Sequence, residues 1–189
     1  EQATPSGGLL VVTAHLGNWE LACAKVAAMG LPLSVVYRGL RSPVLDDALF
    51  RLRARAGSEP GGTPVEQIQL GRAGLPVARA LAAGRKVLVL LDQNADREEG
   101  VFVPFFGEPA CTRAGPIVLA AQRGVPIVPA FIRREADGRR HRLEILPALD
   151  LEPGAADDEA ALRRNVARVT RVIEEAIRCN PVIKVYGGQ

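Results

Sequence analysis

Aromatic residues are scarce in this sequence: five Phe, two Tyr and one Trp account for 4% of 189 residues. The core must therefore be built from Leu, Val, Ile and Ala. No stretch interleaves Lys or Arg with aromatic rings as a platform for bases would, so no nucleic-acid partner is expected. Cysteine is also sparse. Cys23, Cys111 and Cys179 are odd in number, far apart and form no CxxC. Neither a disulfide framework nor a zinc site follows, and each reads as a small apolar filler in a reducing cytosol. No run of 18 apolar residues occurs, so nothing within these residues reads as a bilayer-spanning helix. Neither sign of charge dominates. The net charge is +3 and the pI about 9.0, a mild basic bias that fits a phosphorylated lipid, an acidic carrier protein or an anionic membrane surface. No cofactor and no metal is expected.

What remains is a chain that is 48% hydrophobic, enough for one domain over residues 1–189. Residues 7–14 (GGLLVVTA) read as a buried strand. Asn18 is placed to cap a helix from Trp19 to about Met29, stopped by Gly30-Leu31-Pro32. Leu33 to Tyr37 reads as a second strand. Pro43 opens an amphipathic helix that runs to Arg55 and ends at Gly57. Residues 58–64 are loop by composition, and the stretch up to Ala73 is ambiguous. Leu75 to Ala83 reads as helix, and residues 86–91 (KVLVLL) as a buried strand followed by a polar loop. A helix over 114–123, strands over 127–133 and 141–146 joined at Asp137-Gly138, and a long helix over 159–178 complete the pattern. This alternation predicts an α/β sandwich: a mixed, partly parallel sheet flanked by helices.

The chemistry concentrates in residues 15–20, HLGNWE. Five positions along a uniform helix would set His15 and Glu20 about 140° apart. Here His15 ends a strand, Gly17 permits a tight turn and Glu20 lies in the first turn of a helix, so the corner can bring the two side chains together. A neutral imidazole can take the proton of a hydroxyl as it attacks a thioester, worth typically 10²–10⁴-fold. A carboxylate on the other ring nitrogen fixes the tautomer and stabilises the imidazolium. Glu20, at a helix N-terminus, is expected to be that carboxylate. The other histidine, His141, sits among Arg139, Arg140 and Arg142 and reads as surface.

HLGNWE resembles the HX4(D/E) signature of the lysophospholipid acyltransferase superfamily, in the form found in the late acyltransferases of lipid A biosynthesis (lauroyl and myristoyl transferases). Tyr37-Arg38 and Arg53 before Gly57 resemble that family's second block, Asp92-Gln93-Asn94 its DQ-type segment, residues 100–112 its most specific stretch, and residues 127–133 the next block. The resemblance spans nearly all of residues 8–180. It implies a glycerol-3-phosphate acyltransferase-like domain, an acyl-carrier-protein or coenzyme A donor, a glycolipid acceptor, and attachment to the cytoplasmic face of the bacterial inner membrane.

Carried over residue by residue, the resemblance makes His15 the base and Glu20 its carboxylate partner. Asn18 belongs to the same substrate-binding corner. Arg38 and Arg53 match positions near the acceptor's phosphates, where a guanidinium can bind bidentately. Asp92 is open to two readings, a second acid near the site or a loop carboxylate. Phe105-Phe106-Gly107 line an acyl slot or pack under a turn. Thr112 and the amides near Ala114 bind an anion or cap a helix. The chain departs from the pattern after Asn180-Pro181, where VIKVYGGQ lacks the family's Trp- and His/Arg-rich segment. It opens at Glu1 without Met, close to its first strand, and reads as a fragment lacking an upstream membrane anchor. Other readings stay open: a phosphatidylinositol mannoside or lysophospholipid acyltransferase, a thioesterase, and a lipid-binding module that has lost catalysis.

Overall fold

A computed structural model describes residues 7–71 and 73–180. The divergent tail singled out above, residues 181–189, lies outside the described residues. Thirteen elements follow one another: β1 (Leu9–Thr13), α1 (Trp19–Ala28), β2 (Leu33–Tyr37), α2 (Pro43–Arg55), β3 (Glu66–Gln69), α3 (Gly74–Ala82), β4 (Lys86–Leu90), β5 (Gly100–Phe105), β6 (Glu108–Arg113), α4 (Gly115–Arg123), β7 (Ile127–Arg134), β8 (His141–Ile145) and α5 (Glu159–Arg178). Six strands form one sheet in the order β3-β2-β4-β1-β7-β8, and β5 and β6 form a separate hairpin. All neighbours in the large sheet are parallel except β7 and β8. The expected mixed, partly parallel α/β architecture is therefore what the chain adopts.

The central strands are apolar along most of their length because both faces of the sheet are covered. Leu10, Val12, Val87, Val89 and Ile127 point to one face, where α3, α4 and α5 supply Val77, Ile117, Val166 and Ile173. On the other face Leu33, Val35 and Leu88 meet Cys23 and Ala27 of α1. On that face Ala56, just past the end of α2, joins α1 against the same cluster. Beside it, between α1 and the β7–β8 edge, runs an apolar groove of about 480 Å3.

Two segments went beyond the sequence patterns. Glu66–Gln69 is an edge strand with only Ile68 buried, so one inward side chain gives too little alternation to read. Residues 100–113 are a hairpin whose Pro104 and Pro109 face each other across the ladder. Its two-residue turn, Phe106-Gly107, has positive φ at both positions (54° and 88°), the backbone that hairpin twist favours. Prolines are tolerated because the ribbon has only two strands. Among the described residues no helix is long and apolar enough to cross a membrane.

Candidate active site

β1 and β4 are adjacent parallel strands, with Thr13 opposite Leu90. Two residues further on, at the carboxyl ends of both strands, this register sets His15 beside Asp92. Asp92 holds the histidine twice. Its Oδ1 lies 2.8 Å from His15 Nδ1, and its Oδ2 accepts the His15 backbone N–H at 2.8 Å. A carboxylate on Nδ1 places the single proton of a neutral imidazole there, so Nε2 is the free acceptor. The imidazole is 41% exposed and the Asp92 side chain 15%: the ring is accessible while its anchor is shielded.

The turn after His15 is dictated by its neighbours. Gly17 has φ +62°, and a Cβ there would lie 2.3 Å from the Ile132 carbonyl oxygen of β7. Only glycine fits, on both counts. Asn18 then accepts the Leu21 N–H at 3.1 Å and starts α1, as its position in the sequence predicts. With that oxygen committed to the cap, Asn18 does not line the cleft next to His15.

Glu20 does not sit on the imidazole. Its carboxylate is taken by Arg53 of α2, through Nε at 2.9 Å and Nη2 at 2.5 Å. The reason is geometric: Asp92 already fills the Nδ1 side of His15, whereas the Arg53 guanidinium, on a residue only 6% exposed, requires a counter-charge. That guanidinium is also pinched between Trp19 and Tyr37, 5.1 Å from each ring centroid. Trp19 in turn presents an edge to His15 at 6.3 Å between centroids. The expected His15–Glu20 contact is thus replaced by two pairs, His15–Asp92 and Glu20–Arg53, linked through Trp19.

His15 and the Glu20–Arg53 pair border a cleft of about 390 Å3 lined also by Arg38, Gln93, Asn94 and Arg113. Arg38 is exposed and has no acidic partner among the described residues, unlike Arg53, whose charge is already spent. Arg113 is paired with Glu99. Val36, Leu70, Val89, Arg113 and Pro116 also line a second cavity of about 610 Å3 between the sheet, α3 and α4. The polar cleft therefore continues into an apolar one.

Other expected site residues lie elsewhere. Phe105, Phe106 and Gly107 line neither cavity. They form the hairpin tip against α5, where the Phe106 N–H donates to Glu174 at 2.8 Å and Arg178 covers the ring. Thr112 is buried, its hydroxyl 3.5 Å from that of Thr170, and it lines neither cavity. His141, expected at the surface, is half-buried. Among the described residues no cluster of His, Cys, Asp or Glu could hold a metal.

An imidazole clamped by an acid at the carboxyl ends of central parallel strands, opening on a cleft with an apolar extension, defines an α/β protein with a candidate base-catalytic centre. The chain belongs to the bacterial lipid A biosynthesis acyltransferase family, which it matches over residues 2–183. It is 30% identical over 176 residues to the lipid A biosynthesis lauroyltransferase of Escherichia coli (strain K12), covering 92% of this chain and 53% of that protein. Identity to the palmitoleoyltransferase of the same strain is 27%, covering 92% and 52%. Identity to the phosphatidylinositol mannoside acyltransferase of Mycolicibacterium smegmatis is 27%, covering 78% and 46%. The chain spans about half the length of the curated relatives it matches.

Proposed function

We propose that this chain carries the catalytic core of an O-acyltransferase that moves a fatty acyl group from a thioester donor, on acyl carrier protein or coenzyme A, to a hydroxyl of a lipid A-type glycolipid. The observation that carries the proposal is the double hold of Asp92 on His15 at the mouth of the cleft. His15 Nε2 takes the proton of the acceptor hydroxyl as its oxygen attacks the thioester carbonyl. A tetrahedral intermediate forms and collapses, the C–S bond breaks, and the imidazolium returns the proton to the departing thiolate. No covalent enzyme intermediate is needed. Asp92 fixes the tautomer and stabilises the imidazolium. Glu20 acts through Arg53, holding the cleft wall that carries Trp19 and Tyr37. Arg38, unpaired at the rim, suits a phosphate of the acceptor. The apolar cavity continuing from the cleft suits the acyl chain. Work at the cytoplasmic face of the inner membrane follows from a glycolipid acceptor and a cytosolic donor.

Mass spectrometry of the lipid products from a donor and acceptor mixture tests this. The His15→Ala protein is expected to keep its fold and lose transfer by about 10²–10⁴-fold, with Asp92→Asn also strongly impaired because the imidazole loses its enforced tautomer. Near-normal transfer by folded His15→Ala would refute the base. A second reading, transfer to a phosphatidylinositol mannoside, is favoured by the relatives of that name at 27% identity. Offering both acceptors in one assay separates the two.

A further inference from the structure

Helix α2 is poorly buried for a helix of a folded domain. Of its 13 residues only Arg53 is buried, and that residue faces the cleft together with half-buried Leu49. The outward side is apolar where water-facing helices are polar. Val44, Leu45 and Leu52 are 78%, 61% and 63% exposed, and Leu40, in the loop before the helix, is 47% exposed. Val44, Leu45, Ala48 and Leu52 fall at i, i+1, i+4 and i+8, a single stripe along the helix. Arg51 lies beside it, Arg55 continues it at i+11, at the end of the helix, and Arg41 precedes it. Arg41 and Arg55 have no acidic partner among the described residues; Arg51 pairs only with Asp47.

We infer that the outer face of α2 and the loop before it are a docking surface for an anionic lipid bilayer. The pattern is that of a helix lying in the interface plane, with apolar side chains dipping below the headgroups and arginines among them. A bilayer accommodates this mixture, since arginine stems lie along apolar surface while their heads stay at the phosphates. Burying the face against a second copy would instead bring unpaired arginines of like sign into a closed interface. The placement has a purpose that rests on the glycolipid reading above. Arg38, Gly39 and Leu40 form the cleft rim, and Leu49 and Arg53 line the cleft from the inner side of the same helix. The base would then stand about one helix diameter, ~10 Å, from the lipid, so an acceptor could reach it without leaving the membrane.

Co-sedimentation of the chain with vesicles of phosphatidylcholine, with and without phosphatidylglycerol, tests the inference. Binding is expected on the anionic vesicles and is expected to weaken with added salt. Each unpaired arginine near such a surface strengthens binding about fivefold, so Arg41→Gln with Arg55→Gln should weaken it by about 25-fold. Leu45→Glu with Leu52→Glu should abolish binding while circular dichroism and the thermal midpoint stay as in the parent. The His15→Ala protein should bind like the parent, which separates this inference from the catalytic one. Wild-type failure to bind, or binding indifferent to the Leu45 and Leu52 changes, overturns the proposal. So does a dimer, measured without vesicles, that those changes make monomeric.

Discussion

At the residue scale, the site divides its acids by what each one neighbours. Asp92 orients a ring; Glu20 neutralises a buried guanidinium. The second role yields a prediction with a definite sign. Glu20→Gln leaves Arg53 buried without its counter-charge and should lower the unfolding free energy on the order of 3 kcal/mol. Adding Arg53→Met removes the stranded charge, so the double variant should be more stable than Glu20→Gln alone. Denaturant midpoints of the three proteins decide it; equal values for single and double variants would mean that Trp19 and Tyr37 alone support the cation. The sequence made His15, Glu20 and Arg53 visible as candidates but paired them wrongly. Chain proximity suggested His15 with Glu20, whereas the true partner of His15 lies 77 residues away. The signal was present in two apolar runs, residues 9–13 and 86–90, each followed two residues on by a polar side chain. Only their register, which no local pattern fixes, sets those side chains abreast.

At the scale of elements, the corner between β1 and α1 is the piece that admits least change. Gly17→Ala must adopt left-handed backbone and push against the Ile132 carbonyl, and should cost at least about 2 kcal/mol. Gly138, in the β7–β8 turn, has φ +68° and open space around it, so Gly138→Ala should cost only about 1 kcal/mol. Thermal unfolding of the two variants checks the order; an equal loss would mean the Ile132 contact relaxes freely. Most elements were legible because burial on both faces writes long apolar runs into β1, β2 and β4, and a one-sided stripe into α5. β3 was not, having one buried apolar residue. The β5–β6 ribbon was not, because its register depends on a turn at Phe106-Gly107, where a non-glycine residue holds positive φ.

At the scale of the whole molecule, the cysteines report whether α1 and the β5–β6 hairpin open together. Burial pushes the Cys23 thiol from 9.0 up to about 12, and the charge of Glu20 adds to the rise. Cys111 is buried, while Cys179 is exposed. One thiol should therefore react with Ellman's reagent at once, and two only as the fold opens. If α1 and the β5–β6 hairpin belong to one cooperative unit, Cys23 and Cys111 will become reactive at a common rate across a denaturant series; faster labelling of Cys23 would mark α1 as a separately opening layer. The anchoring of His15 and Asp92 on β1 and β4 has a consequence for diversification. The His15–Asp92 pair hangs from the two innermost ribbons, while the rim arginine and the outward helix hang from outer pieces. On the acyl-transfer reading proposed above, such an arrangement would let the recognised headgroup drift through substitutions in the periphery with the imidazole and its acid left untouched, so one scaffold would come to serve chemically different lipids.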